Sequence, residues 1–578
     1  MKHYSFSELK KNLKKNHDGL PVIRIAILAD SAAQFFTQAL KGYAFTEGLN
    51  LEIWEADYDQ VFQTALDADS ELYSSKPEYV IIFESSRKLL NRFYKADAGA
   101  RENFAETNIQ QVKQITGLIN SRIKTNIIYI NFAEINDAVF GNFANKISGS
   151  FLYQSRLLNV KLMQLAQEEK NLNICDLASL QASYGNGMLY DEKIYIATDN
   201  FLSLDFLPLL AKQVTDIMLS YAGRFKKCVI LDLDNTAWGG IIGDDGMEGI
   251  QVGDLGIGKA FTKFQQWIYQ LKQRGIILAV CSKNTESIAK EPFENHPEMQ
   301  LKLEDIAVFV ANWNNKVDNI RHIQSILNIG FDSMVFLDDN PFEREMVKSA
   351  IPEITVPELP EDPAEYLSYL YTLNLFETTS FTEADQKRNE QYREEAGRKQ
   401  MEQSFKNEDE FLQSLHMKAE VTNINAFTLP RIAQLTQRSN QFNLRTVRYT
   451  EDDMQKRSAD ADSFCLSIKL SDKFGDYGII SALIAEKQPG NILFIDTWIM
   501  SCRVLKRGVE KVALDALVQQ AKASGCKQLK GEYIPSPKNG LVKDHYENLG
   551  FHQQQNFWYL DVETYTPQVF YIETIPSA

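Results

Sequence analysis

Six residues have the types and positions for chemistry: Asp232, Asp234, Ser282, Lys316, Asp338 and Asp339. Asp232-Leu233-Asp234-Asn235-Thr236 directly follows the apolar run KKCVIL. Two carboxylates so placed, just past a strand end, converge on one cation when the chain turns there. Asp338 and Asp339 end a second run, SMVFL, and supply further oxygen ligands. Magnesium takes oxygen donors in an octahedron and retains waters, so two or three carboxylates suffice. Without a cation such a cluster repels itself. Ser282 ends the run GIILAVCS, where its hydroxyl can hold a phosphate oxygen. Lys316 opens NKVDNIRHIQSIL, where its ammonium can neutralise charge building on a carboxylate–phosphate pair. A nucleophile, a metal, a hydroxyl donor and a cation are the parts that phosphoryl transfer needs.

These residues need a scaffold that brings strand ends together. CVILDLD, GIILAVCS, IAVFVAN and SMVFLDD read as four buried strands, each ending in polar residues. In an open parallel sheet, ligands bind outside the carboxyl ends of the strands. Upstream, from 22 to about 221, the runs VIRIAIL, LEIW, YVIIF, NIIYI and LNICDL alternate with helical segments. That alternation predicts a second, mostly parallel sheet covered by helices. Positions 380–407 are highly charged and predict a solvated helical connector. From about 410 the pattern becomes α+β, with long strands and an amphipathic helix over 508–523. The expected organisation is α/β multidomain: 1–223, 224–380, a connector at 381–409, and 410–578.

The length of 578 residues suits about three domains. A net charge of −16 gives no basic footprint for a nucleic acid. No apolar stretch is long enough to span a membrane, and the start does not read as a signal peptide. The cysteines are dispersed, without CxxC pairs, so neither a disulfide framework nor a zinc site is expected. A cytoplasmic location follows most simply.

DLDNTAWGGIIGDDGMEGI, CSKN, NWNNKVDNI and FLDDNPFEREMV resemble the haloacid-dehalogenase superfamily and, within it, the FkbH-like family with its subfamily IIIC phosphatase domain. RSNQFNLRTVRYTE, DKFGDYGII, MSCRVLKRGVE and GEYIPSPKNGLVKDHYENLGF resemble the same family, as does LADSAAQFFTQALKGYAFTEGLNLEIWEADYDQ. The resemblance implies a capless Rossmann-like domain in which Asp232 is the nucleophile and Asp234 the general acid/base. Mg²⁺ would be held by Asp232, Asp234 and Asp338, with Asp339 beside them. It further implies that a phosphoglyceryl unit derived from 1,3-bisphosphoglycerate is dephosphorylated and loaded on an acyl carrier protein through a cysteine thioester. Cys281, beside Ser282, and Cys502, between Ser501 and Arg503, are the candidates; each also reads as a small buried hydrophobe.

The C-terminal part resembles the GNAT acyltransferase fold, in which the turn before the main helix binds the coenzyme A diphosphate. Arg503, Arg507 and Gly508 suit a phosphate, and Tyr546 would be a general acid. Leu505 and Glu510 depart from the usual signature, which favours a carrier-bound pantetheine arm over free coenzyme A. Arg438, Arg445 and Arg448 offer a basic patch for an acidic carrier protein. The N-terminal part resembles the SGNH hydrolases through Ala29-Asp30-Ser31, on a flavodoxin-like parallel sheet. Its general-base histidine is missing, so a hydrolytically dead scaffold is expected. Against glyceryl loading stand a plain phosphatase of a small phosphorylated metabolite or sugar phosphate, and an interaction protein with a structural Mg²⁺.

Overall fold

The computed structural model describes residues 4–575, except positions 383, 384, 386, 387, 403, 404, 406, 440, 502 and 503 and the side chains of 399, 400, 402 and 438. Contacts divide the chain into two compact units, one ending at Leu219 and one beginning at Ser220.

The first unit is built on β1 (Val22–Ala29), β2 (Asn50–Glu55), β3 (Tyr79–Phe83), β4 (Asn126–Ile130) and β5 (Leu172–Cys175). All pair in parallel, in the order β2-β1-β3-β4-β5. β3 is buried along its whole length, as a run such as YVIIF requires of a central parallel strand. The strand order reverses between β1 and β3. Asp30, Ser31, Glu84 and Ser86 lie there, just past the strand ends, all buried. The helix α1 (Ser86–Lys95) starts at this point, capped by the Ser85 hydroxyl.

The second unit contains two sheets. β6 (Cys228–Leu231), β7 (Ile277–Ser282), β8 (Val308–Ala311) and β9 (Met334–Leu337) form a parallel sheet in the order β8-β7-β6-β9. These are the four runs read from the sequence. One face packs on Trp238, Phe261, Phe264 and Ile268, the other on Ile320, Ile323 and Val347. The helix α2 (Lys316–Leu327) follows β8, with Asn315 as its cap.

The other sheet has eight strands: β10 (Met417–Asn423), β11 (Ser463–Asp472), β12 (Gly475–Gln488), β13 (Ile492–Met500), β14 (Gln528–Glu532), β15 (His552–Gln554), β16 (Phe557–Asp561) and β17 (Ile572–Ile575). β10 to β13 form an antiparallel meander. β13 and β14 pair in parallel only from Ile492 to Phe494 and then part. That divergence, with a helix following the central strand, is GNAT-like.

The charged connector is where the structure departs from the sequence reading. The helix α3 (Arg388–Glu402) forms, but it is not solvated along one face. Asn389, Tyr392, Glu395 and Arg398 are buried. Asn389 accepts from the Leu278 N–H of β7 (3.0 Å), and Arg398 makes two 2.8 Å bonds to Asp472 of β11. Polar side chains three or four apart share a helix face, and here that face meets partners on β7, β11 and the start of the helix 509–523 across a packed seam. Charge composition alone cannot distinguish that from exposure.

Candidate active site

β6 and β9 are neighbours with Leu231 opposite Leu337. The register therefore carries Asp232 and Asp338 side by side past the sheet edge. Leu231 also pairs with Val280 of β7, which brings Ser282 to the same edge. Oxygens of Asp232, Asp338 and Asp339 lie within 4.8 Å of one another. Lys316, the first residue of α2, reaches in from β8: its Nζ is 2.5 Å from Asp338 Oδ2 and 3.0 Å from Asp232 Oδ2. Ser282 is buried beside them.

One ammonium does not balance two buried carboxylates and a third, half-buried one. Burial and the Asp232 charge push Asp338 up to about 7 despite Lys316. Burial and Asp232 also raise Asp339. Lys316 itself moves upward, because the two aspartates outweigh its own desolvation. Three hard oxygen donors, with no sulfur or imidazole among them, suit a small divalent cation that keeps part of its water shell. The donor set fits Mg²⁺.

Asp234 stands apart from this trio. Its Oδ1 accepts from Trp238 Nε1 and the Ile242 N–H, both at 3.0 Å, and its Oδ2 from Asn284 Nδ2 at 3.1 Å. Burial is the main cause that raises its pKa, with Asp232 adding to it. The side chain expected as a metal ligand is thus held as a hydrogen-bond acceptor with an elevated proton affinity, which suits an acid/base. Asn235 permits this turn by adopting a left-handed φ of 56°.

Several supporting residues escaped the sequence reading. Thr236 Oγ1 accepts from the Asp339 N–H (3.0 Å) and donates to Asp339 Oδ1 (3.2 Å). Buried Arg344 clamps the Asp338 and Asp339 carbonyls at 2.8 and 2.6 Å. Asn284 was within reach of a sequence argument, since it lies two residues beyond Ser282 on the same loop. Arg344 gave no such signal, because it binds carbonyl oxygens that have no sequence signature.

The other predicted residues fare differently. Cys281 is fully buried, its Sγ 3.8 Å from the Lys316 carbonyl, and burial pushes its thiol well above the usual range. Nothing brings that sulfur to the surface, so burial outweighs nearness to the site. Cys502 and Arg503 lie outside the described residues. Arg507 is engaged by Glu395 (2.6 Å) and by Tyr477, with Asp472 at 3.7 Å, which leaves little of its charge for a phosphate. Gly508 has φ 87° and caps the helix α4 (Val509–Ala523). Tyr546 is a packing residue: a Cβ on Gly531 would stand 2.3 Å from its ring. Arg445 binds Asp496 and Glu532, Arg448 donates to the Gln437 carbonyl, and the Arg438 side chain is not described. The expected basic patch is therefore spent on internal contacts at Arg445 and Arg448. In the first unit, Ser31 is buried and its hydroxyl has no hydrogen-bond partner among the described residues, while His17 bonds the Asn12 carbonyl and stacks on Phe45.

Residues 24–219 match the model of the FkbH N-terminal domain. The chain is 52% identical to the N-terminal part of the protein BF1531 from Bacteroides fragilis, described as containing a phosphatase domain and crystallised with Mg. The match covers 65% of this chain and 100% of that one, with a TM-score of 0.64. The chain belongs to the FkbH-like family of the haloacid-dehalogenase superfamily. Beyond the part shared with BF1531, this FkbH-like chain matches the ribosomal-protein-S18-alanine N-acetyltransferase from Escherichia coli at 12% identity, over 26% of this chain and 99% of that one, with a TM-score of 0.21. It also matches an acetyltransferase of the GNAT family from Staphylococcus aureus Mu50 at 9% identity, over 25% and 99%, also at 0.21. Comparison with curated proteins finds no match. Among the described residues of this FkbH-like chain, no helix is long and apolar enough to cross a membrane.

Proposed function

We propose that the chain is a Mg²⁺-dependent phosphatase that acts through Asp232 and is coupled to glyceryl transfer onto an acyl carrier protein. The convergence of Asp232, Asp338 and Asp339 around Lys316 carries the phosphatase reading. Bound Mg²⁺ would be held by these three carboxylates and would neutralise charge on the phosphoryl oxygens. Asp232 attacks phosphorus and forms an aspartyl-phosphate as the bond to the leaving oxygen breaks. Asp234, whose burial favours its protonated form, gives that oxygen its proton. A water then attacks the aspartyl-phosphate, Asp234 takes the proton back, and inorganic phosphate leaves. Lys316 holds Asp232 in line and Ser282 offers its hydroxyl to a phosphoryl oxygen.

A macromolecular partner finds support around the same sheet edge. Leu255 (88% exposed) in the segment between β6 and β7, Trp313 (74%) in the loop after β8 and Phe342 (71%) in the first turn of the helix that follows β9 are exposed apolar side chains. Such exposure near a catalytic mouth suits a docking protein such as an acyl carrier protein. The burial of Cys281 favours a second reading: a phosphatase of a small phosphorylated metabolite without acyl transfer.

Intact-protein mass spectrometry separates the two. The chain is incubated with Mg²⁺, 1,3-bisphosphoglycerate and an acyl carrier protein, beside an Asp232→Asn control. A glyceryl mass on enzyme or carrier supports coupling. Phosphate release with no acyl mass on either protein supports the simple phosphatase.

A further inference from the structure

A cavity of about 590 Å³ lies at the start of α4, within the size range of small-molecule sites. A GNAT-like fold would place a cofactor diphosphate near this helix end. The side chains around the cavity oppose that use. The Arg507 guanidinium is already neutralised by Glu395 of α3. Glu510, in the first turn of α4, adds a carboxylate where an anion would otherwise gain from the helix dipole.

Three side-chain atoms of residues that line this cavity lack a hydrogen-bond partner among the described residues: Glu510 Oε2, His545 Nε2 and Glu395 Oε2, the last of which lies 3.6 Å from the Arg398 guanidinium. His545 is buried, its ring set edge-on to Trp498 (4.5 Å between centroids) and Phe442 (4.9 Å). Burial holds it neutral, so a ring nitrogen is available as an acceptor. Burial also raises Glu510. An unpaired buried carboxyl oxygen costs free energy until a donor reaches it, and a cationic donor answers it best. Phe411, Phe442 and Met500 supply apolar walls, and Lys506 is exposed at the rim.

We infer that this cavity binds a small primary amine with an apolar body, its ammonium on Glu510 and its stem against Phe411, Phe442 and Met500. The site is separate from the phosphoryl site and does not rest on the function proposed above. It replaces an anion-binding loop with a cation-binding one by two changes: Glu510 on the helix, and Glu395 on Arg507.

The test uses the full chain with Mg²⁺ near neutral pH. Titration calorimetry is run with butylamine, hexylamine and phenethylamine, beside hexanoate and coenzyme A. At least one amine should bind with a stoichiometry near one, and Glu510→Gln should weaken it at least about tenfold. Hexanoate and coenzyme A should give no binding heat. A second readout, independent of whether Glu510→Gln folds, uses the wild-type chain with ¹³C-methyl methionine: the bound amine should show NOEs to the Met500 methyl. No amine binding, unchanged affinity in a folded Glu510→Gln chain, absent Met500 NOEs, or binding of coenzyme A or hexanoate would each overturn the inference.

Discussion

Lys316 Nζ stands 2.5 Å from Asp338 Oδ2 and 3.0 Å from Asp232 Oδ2, so one buried ammonium holds together the ends of β6 and β9. Removing it leaves two buried carboxylates facing each other. Lys316→Met should lower activity by about 10²–10³-fold, the scale of losing one preorganised electrostatic group. It should also destabilise the unit by roughly 3–5 kcal/mol without metal. The rise in melting temperature on adding Mg²⁺ should be larger than in wild type, which a thermal melt with and without chelator will measure.

Asp234 has three hydrogen-bond donors on its carboxylate. Asparagine at that position keeps the oxygen that Trp238 and Ile242 need, so Asp234→Asn should fold. It has no carboxyl proton to give or take. Turnover should fall by about 10²–10⁴-fold, as for loss of a general acid/base. An activated acyl phosphate needs little acid assistance in the first step. The variant should therefore accumulate the phosphoryl-enzyme, visible as a phosphoryl mass increment that peptide mapping puts on Asp232.

How much of this was legible beforehand divides along physical lines. Asp232, Ser282, Asp338 and Asp339 were readable because polar residues after long apolar runs must sit at strand ends, and a parallel sheet gathers those ends; Lys316 was readable as the first residue of the helix that follows such a strand. The donors that hold the Asp234 carboxylate, from Trp238, Ile242 and Asn284, were not legible, because spacing places a carboxylate near a site without saying which donors it meets. The buried stripe of α3 was invisible for another reason. Glu395 and Arg398 look solvated until their partners, Arg507 and Asp472, are known, and those lie in distant segments. Arg507 was read as a phosphate ligand for the same reason.

The Glu395–Arg507 pair makes a quantitative prediction. Both side chains are buried, with 2.6 Å between Oε1 and NH2. Arg507→Met should cost about 3–5 kcal/mol, because it strands Glu395. The double variant Glu395→Met/Arg507→Met should recover a large part of that loss. Urea denaturation of the four chains completes the cycle, and additive losses would mean that the pair does not act as a unit.

His545 gives a pH dependence of definite sign. Burial lowers its pKa from 6.5 to about 3. Above the unfolded value neither state is protonated there and the residue adds no slope. As pH falls from 6.5 towards 3, the unfolded chain takes up a proton that the folded ring refuses. Stability is therefore lost on acidification, by up to roughly 1.4 kcal/mol per pH unit. His545→Gln should remove this component, seen as a shallower fall in urea midpoint between about pH 7 and pH 5 than in wild type.

The central claim is phosphoryl chemistry at Asp232 assisted by a divalent cation. The most direct test is phosphate release from 1,3-bisphosphoglycerate, with p-nitrophenyl phosphate as a generic ester, by wild type and Asp232→Asn, each with Mg²⁺ and with chelator. The account predicts release by the wild type with Mg²⁺ alone, abolished by chelator and by the substitution. Release that persists in Asp232→Asn, or that ignores the chelator, would contradict it.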